Sequence, residues 1–147
     1  MDTMSELLVS WRDEFCVRIE SVDRQHQTLV AITRQLQEAM LEGRAREVQK
    51  ELVEKLIDYT KYHFECEERL MTECGYEGLT NHQQSHRDLT VQVVNLRQRI
   101  TRSLAISSPQ MLCFLRHWIT DHILQSDREF GVAYLRHQGD DPPRERS

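Results

Sequence analysis

The chain has 147 residues, a length that favours one domain with a core of its own. Only 5 glycines and 3 prolines are present, which favours long helices over a fold of many short strands. The net charge of −5 without a basic block argues against nucleic-acid binding, and no apolar run is long enough to predict membrane insertion.

The N-terminus favours a cytoplasmic protein, and in a reducing compartment the cysteines are expected to be reduced. The first residues are acidic and lack the apolar run of a signal peptide. None of the four cysteines has CxxC spacing, so we expect free thiols, used as small buried apolar residues, rather than a zinc knuckle. Cys66 lies between two candidate metal ligands, which leaves thiolate ligation or redox sensing open as a less favoured role.

In chain order, the first predicted segment is an N-terminal arm over residues 1–20. Phe15, Val17 and Ile19 alternate with polar residues, which predicts an extended arm laid over the helices. The first helix is predicted over residues 22–42, with Ser21 as a candidate N-cap.

Three further helices are predicted after short connections. The second runs over residues 45–73 and has Gly75 as its C-cap. The third runs over residues 81–104, and Thr80-Asn81-His82-Gln83 predicts a capping box at its start. Pro109 suits the first position of the fourth helix.

These elements predict an all-α protein with one structural unit. We expect an up-down-up-down four-helix bundle over residues 21–138, with the extended N-terminal arm before it. Residues 139–147, which contain glycine, two prolines and several charges, are expected to form a flexible tail.

Seven polar side chains interrupt the inward-facing apolar stripes of the predicted helices. They are five histidines and two carboxylates: His26, His63, Glu67, His82, His86, His122 and Asp127. Buried without partners, they would consume the whole stability of a small domain, about 5–15 kcal/mol. Metal ions inside the bundle would satisfy all of them, so the pattern predicts a metal centre.

The spacing of these side chains supports a shared centre. Two pairs are four residues apart and project from single helix faces: His63 with Glu67, and His82 with His86. His122 and Asp127 are five residues apart, which a regular α-helix would place about 140° apart. We therefore expect a distortion near 123–127, such as a π-bulge, or an approach of Asp127 from the rim.

The donor set favours two iron ions. Imidazole ligands suit several transition metals, but seven ligands are too many for one tetrahedral zinc. Two ions bridged by Glu67, Asp127 and an oxo or hydroxo group would use every ligand and leave one open position. The carboxylate-rich ferritin-like site requires Glu-x-x-His, which this sequence lacks.

The same residues resemble the signature of the hemerythrin family. The matching segments are Asp23-Arg24-Gln25-His26, His63-Phe64-x-x-Glu67-Glu68, His82-x-x-x-His86 and His122-Ile123-x-x-x-Asp127. The resemblance covers roughly residues 11–135, and it is specific because seven positions match in order and in spacing.

The resemblance implies a non-haem di-iron centre with unequal irons. His82, His86 and His122 would hold a six-coordinate iron, His26 and His63 would hold the iron with the open position, and Glu67 and Asp127 would bridge the two. The family's dry O₂ pocket falls on Phe64, Trp118, Ile119 and Ile123, and such a pocket keeps water from the centre. His117 and His137 match no ligand position.

The function implied is reversible O₂ binding, for storage or for delivery to an oxygen-consuming enzyme, by a monomer or weak oligomer. The alternatives are a peroxidase, catalase or nitric-oxide scavenger, an O₂ or redox sensor, and iron storage. A polar residue in the O₂ pocket would favour an enzyme, and none is present; a sensor usually carries a fused output domain; and a fully liganded centre argues against storage. We therefore expect an oxygen-binding protein rather than an enzyme.

Overall fold

A computed structural model of the chain describes residues 7–102 and 108–139. In these two ranges it contains five α-helices and no β-strand, which confirms the predicted all-α fold. The helices are α1 (Glu20–Leu41), α2 (Arg46–Cys74), α3 (Leu79–Thr101), α4 (Ser108–Asp121) and α5 (Arg128–His137). The π-helical segment His122–Asp127 joins α4 to α5, so the predicted fourth helix is one run of three parts.

Some predicted features lie outside the described residues. They are the first six residues of the arm, the end of the third helix at 103–104, and the tail over 140–147. In the part of the chain that the structure describes, no helix is long and apolar enough to cross a lipid bilayer.

The helices bury their apolar faces in a shared core. The α2 helix packs against α1 and α3, and α4 packs against α1. Each of these four helices contributes a fully buried residue: Leu36, Leu56, Val93 and Leu115. Burial of one such side chain stabilises the fold by about 1.5–3 kcal/mol. The same packing directs the polar residues on the buried faces toward one interior region.

The N-terminal arm covers the helices, as predicted, but it is not extended throughout. Residues Asp13–Phe15 form a short 3₁₀ turn. Four apolar arm residues are buried against the helices: Val9, Phe15, Val17 and Ile19. The ring of Trp11 meets the edge of the Phe15 ring, with centroids 5.5 Å apart, which fixes the position of the turn.

The start of α1 differs from the prediction because Asp23, rather than Ser21, organises it. The helix has no side-chain cap. The Asp23 carboxylate instead accepts the N–H groups of Val17 at 2.7 Å and Arg18 at 3.1 Å. These bonds hold Arg18 in the left-handed region, with φ 70°, which non-glycine residues adopt uncommonly. Asp23 therefore ties the arm to the helix that carries His26.

The turn between α2 and α3 confirms one predicted cap and corrects another. Gly75 ends α2 with φ 65°, the left-handed C-cap that glycine adopts without strain. The capping box at Thr80 is wrong, because α3 begins at Leu79. The carbonyl of Gly78 accepts the His82 N–H at 2.9 Å, so Gly78 occupies the capping position that the sequence assigned to Thr80.

Replacement of Gln37 by methionine is expected to destabilise the fold by roughly 2–4 kcal/mol, because buried backbone groups would lose their partners. The side-chain oxygen of Gln37 accepts the Val9 N–H at 2.8 Å. Its amide nitrogen donates to the carbonyls of Leu7 at 3.0 Å and Leu112 at 2.9 Å. Urea denaturation would measure the loss, and the exposed Gln35 on the same helix provides the control substitution. Equal stability of the two variants would contradict this role for Gln37.

Candidate metal centre

The π-helical segment brings His122 and Asp127 to the same side of the chain. Its wider turn, with i→i+5 hydrogen bonding, suits a five-residue spacing. His122 is 5% exposed and Asp127 is fully buried. The predicted distortion is therefore confirmed, and the alternative approach of Asp127 from the rim is wrong.

All seven candidate ligands meet in the interior. His26 comes from α1, the pair His63 and Glu67 from α2, the pair His82 and His86 from α3, and the pair His122 and Asp127 from the π-helical segment. Their ligand atoms form two overlapping groups, and within each group the atoms lie within 4.8 Å of one another. The first group is His26, His63, Glu67, His122 and Asp127, and the second is Glu67, His82, His86 and His122.

The two oxygens of Glu67 face different histidines. Oε2 lies 3.1 Å from Nε2 of His63 and 3.8 Å from Nε2 of His26. Oε1 lies 2.6 Å from Nε2 of His82 and 3.0 Å from Nε2 of His86, with His122 at 3.7 Å. This one carboxylate divides the five rings into a pair and a triplet, which is the division that the family resemblance implied.

Asp127 contacts histidines of both sets. Its Oδ2 lies 2.6 Å from Nε2 of His26 and 3.1 Å from Nε2 of His122, and its Oδ1 lies 3.0 Å from Nε2 of His82. The two carboxylates therefore both stand between the pair and the triplet. That position is the one a bridging ligand requires.

The hydrogen bonding of the cluster fits a metal better than it fits the protein alone. Among the described residues, eight buried side-chain atoms have no hydrogen-bond partner: His26 Nδ1 and Nε2, His63 Nε2, Glu67 Oε2, His122 Nδ1 and Nε2, and both oxygens of Asp127. Several of these atoms are close together but are poorly oriented for hydrogen bonds. Buried polar atoms without partners carry the full cost of lost hydration, and a cation among them would offset that cost. The donor set of five imidazoles and two carboxylates suits iron.

The pKa values of the cluster residues show which rings hold protons when no metal is bound. Burial alone would lower the pKa of His26 and His82, but close contact with Asp127 and Glu67 outweighs it and raises both to about 9. Burial would raise the pKa of Glu67, and the charge and contacts of the histidines hold it well below the usual value. Without a metal, the carboxylates therefore retain protons on neighbouring rings, and a metal ion would displace them.

Two rings of the cluster are oriented by partners that the sequence reasoning did not single out. His63 donates its Nδ1–H to Oε1 of Gln25 at 2.7 Å, and His86 donates its Nδ1–H to Oε2 of Glu68 at 2.7 Å. Both bonds leave Nε2 directed at Glu67. The available signal was the place of Gln25 and Glu68 in the family signature, each directly beside a candidate ligand.

The four residues predicted to line an O₂ pocket are all buried: Phe64, Trp118, Ile119 and Ile123. The ring of Phe64 stacks on the imidazole of His86, with centroids 3.8 Å apart and planes 4° apart. Trp118 donates its indole N–H to the carbonyl of Leu89 at 3.0 Å, so its polar atom is satisfied. Phe64 therefore places apolar surface beside the cluster, and Trp118, Ile119 and Ile123 belong to the buried apolar core.

The remaining candidates lie apart from the cluster. His117 and His137 are exposed, and His117 has Asp121 as a neighbour at 3.7 Å. Cys66 is half-buried and belongs to neither group of ligand atoms. All four thiols are free, as predicted, but Cys16 is exposed and the other three are half-buried, so none is the fully buried apolar residue that was expected.

The fold and the cluster define a helical protein with a buried histidine–carboxylate site for metal cations. The sequence model of the family described as the hemerythrin HHE cation binding domain matches residues 17–133. The chain therefore belongs to the hemerythrin family.

Relatives and solved structures agree with this assignment. The chain is 28% identical over 130 residues to a bacteriohemerythrin of Stenotrophomonas maltophilia, covering 88% of this chain and 84% of that protein. It is 29% identical over 125 residues to a bacteriohemerythrin of Methylococcus capsulatus, covering 84% and 95%. A crystal structure of wild-type hemerythrin superposes with a TM-score of 0.78 at 26% identity, covering 86% of this chain and 98% of that one.

Proposed function

We propose that this protein binds O₂ reversibly at a non-haem centre of two iron ions, for storage or for delivery to an oxygen-consuming enzyme. The observation that carries the proposal is the division of the histidines by Glu67. One oxygen faces His63 and His26, and the other faces His82, His86 and His122. Two iron ions bound there would supply the electrons that O₂ accepts on binding and returns on release.

The unequal numbers of histidines would leave one position open for a small ligand. The set with two rings, His26 and His63, offers one nitrogen fewer than the set with three. Both carboxylates contact rings of both sets, so neither makes up for the missing nitrogen. We therefore place the open position on the side of His26 and His63.

Phe64 at the cluster and the buried apolar core would keep water and protons away from the bound ligand. Phe64 covers one face of the His86 ring, and Ile119 and Ile123 are almost completely buried. Exclusion of water favours release of O₂ unchanged over its conversion to peroxide. This is the feature that separates our proposal from an enzyme or sensor that uses the same centre.

The finer assignments belong to the same proposal. They are the up-down-up-down order of a four-helix bundle, a cytoplasmic location, a monomer or weak oligomer, and the absence of enzymatic turnover. The packing of α2 against α1 and α3 supports the order of the helices. The free thiols support the cytoplasmic location. The bacteriohemerythrin relatives support O₂ binding as the function.

Optical titration with O₂ would test the proposal. The full chain is loaded with iron and reduced under argon, O₂ is added in steps, and argon is then returned. We expect visible absorption bands that appear with O₂ and disappear under argon through repeated cycles, with iron analysis giving two ions per chain. Bands that decay irreversibly, with peroxide released or consumed, would contradict the carrier function and favour the enzyme or sensor alternative.

A further inference from the structure

The two sides of the metal centre have chemically different supports. His63, in the pair, donates its Nδ1–H to the neutral amide oxygen of Gln25, and His86, in the triplet, donates its Nδ1–H to the carboxylate of Glu68. The two bonds have the same length, 2.7 Å. They therefore orient the two rings equally well but differ by one negative charge.

We propose that Glu68 is a positioning residue that makes the His82/His86/His122 position the tighter of the two metal positions. A carboxylate that accepts the outer N–H of a ligand imidazole increases the basicity of the nitrogen that faces the metal. A neutral amide fixes the orientation of the ring without adding charge. The inference rests on the proposed two-metal centre and goes beyond it, because it assigns unequal affinities to the two positions.

The surroundings of Glu68 suit this role. Its side chain is 28% exposed, so it can carry a charge without the full cost of burial, while the ring that it contacts is only 3% exposed. Phe64 stacks on the face of the same ring. The His86 imidazole is thereby held at its edge by Glu68 and on its face by Phe64, with Nε2 directed at Glu67.

Two other rings of the cluster, those of His26 and His122, lack comparable support. The Nδ1 atoms of His26 and His122 are buried without a hydrogen-bond partner. Gln25, which supports His63, is itself buried and uncharged. The charged partner, Glu68, therefore supports a ring of the triplet. The neutral partner, Gln25, supports a ring of the pair, where we place the open position.

Stepwise metal binding would test the inference without relying on O₂ chemistry. The metal-free full chain is titrated with Co(II), and its two binding steps are measured by calorimetry and by the visible bands of the bound ion. In Glu68→Gln we expect one step to weaken by about 10- to 100-fold while the other stays unchanged. Glutamine keeps the size of the side chain and an oxygen that can accept the His86 N–H, so the substitution removes mainly the charge.

Two further variants test whether the effect depends on a charge at Glu68 or on a charge elsewhere in the protein. Glu65→Gln removes a carboxylate from an exposed position three residues earlier on α2, and both steps should stay unchanged. Gln25→Glu adds a carboxylate beside His63, in the pair. The binding step that Glu68→Gln leaves unchanged should then show a higher affinity. Circular dichroism of the metal-free variants verifies that each remains folded.

The location of the tighter step requires crystals of the full chain prepared with one equivalent of Co(II). Anomalous scattering should show higher occupancy beside His86 than beside His63 in the wild type, and a smaller difference in Glu68→Gln. Unchanged affinities in Glu68→Gln, or an equal loss at both steps, would overturn the inference while leaving two bound ions. A wild-type protein that binds fewer than two ions would overturn the proposed function itself.

Discussion

Replacement of Glu67 by alanine is expected to abolish the two-metal centre, with iron content falling from two ions per chain to one or none. Glu67 is fully buried, and its two oxygens contact the two sets of histidines separately, so its loss removes a carboxylate from both sets at once. The O₂-dependent absorption bands should disappear with the iron. Elemental analysis after loading and the optical titration measure the two effects independently.

The controls for this substitution lie on exposed surface. Glu65→Ala removes a carboxylate from the same helix, and His117→Ala removes an imidazole that lies outside the cluster. Both variants should load iron as the wild type does. Full iron content in Glu67→Ala, or loss of iron in His117→Ala, would show that the ligand assignment is wrong.

Removal of the metal is expected to destabilise the protein and to make its stability fall at alkaline pH. A ligand present at about a thousand times its dissociation constant stabilises the fold by about 4 kcal/mol, and this contribution is lost with the metal. In the metal-free protein the pKa values of His26 and His82 are raised from 6.5 to about 9. Their protonated rings take the place of the metal as partners of Glu67 and Asp127.

The sign of the pH effect follows from these shifts. A raised pKa in the folded state contributes stability that is complete below 6.5 and is lost as the pH rises through 9. The loss is on the order of 3 kcal/mol for each ring. The pKa values of Glu67 and Asp127 are lowered in the folded state, so these two carboxylates stabilise the fold at neutral pH. That stabilisation is lost as the pH falls through their folded-state pKa values. Burial also lowers the pKa of His63, so its protonation at acid pH destabilises the fold.

Urea unfolding of the metal-free and metal-loaded forms at pH 6.5 and pH 9 would measure this difference. The metal-free protein should be less stable at the higher pH. The loaded protein should not lose stability over the same interval, because its rings bind metal through unprotonated nitrogen. Equal stability of the two forms, or a metal-free protein that gains stability toward pH 9, would contradict the account.

The sequence alone was sufficient for the helices and for the identity of the seven polar residues, because both depend on periodicity along the chain. The (i, i+4) spacing of His63 and Glu67 places them on one helix face wherever that helix packs. The π-helical segment was predicted because His122 and Asp127, five residues apart, cannot share a face of a regular α-helix. Local capping was less predictable, because a backbone turn at Gly78 replaced the side-chain cap expected at Thr80.

Only the tertiary structure decided which atoms face one another. The division of the histidines between the two oxygens of Glu67 depends on how four helical segments pack, and no spacing within one helix contains that information. The same holds for Gln25, whose side-chain oxygen accepts a hydrogen bond from Nδ1–H of His63, a residue 38 positions away along the chain. The sequence determined what kinds of donor enter the core, and the packing determined which donors face one another and which residues support them.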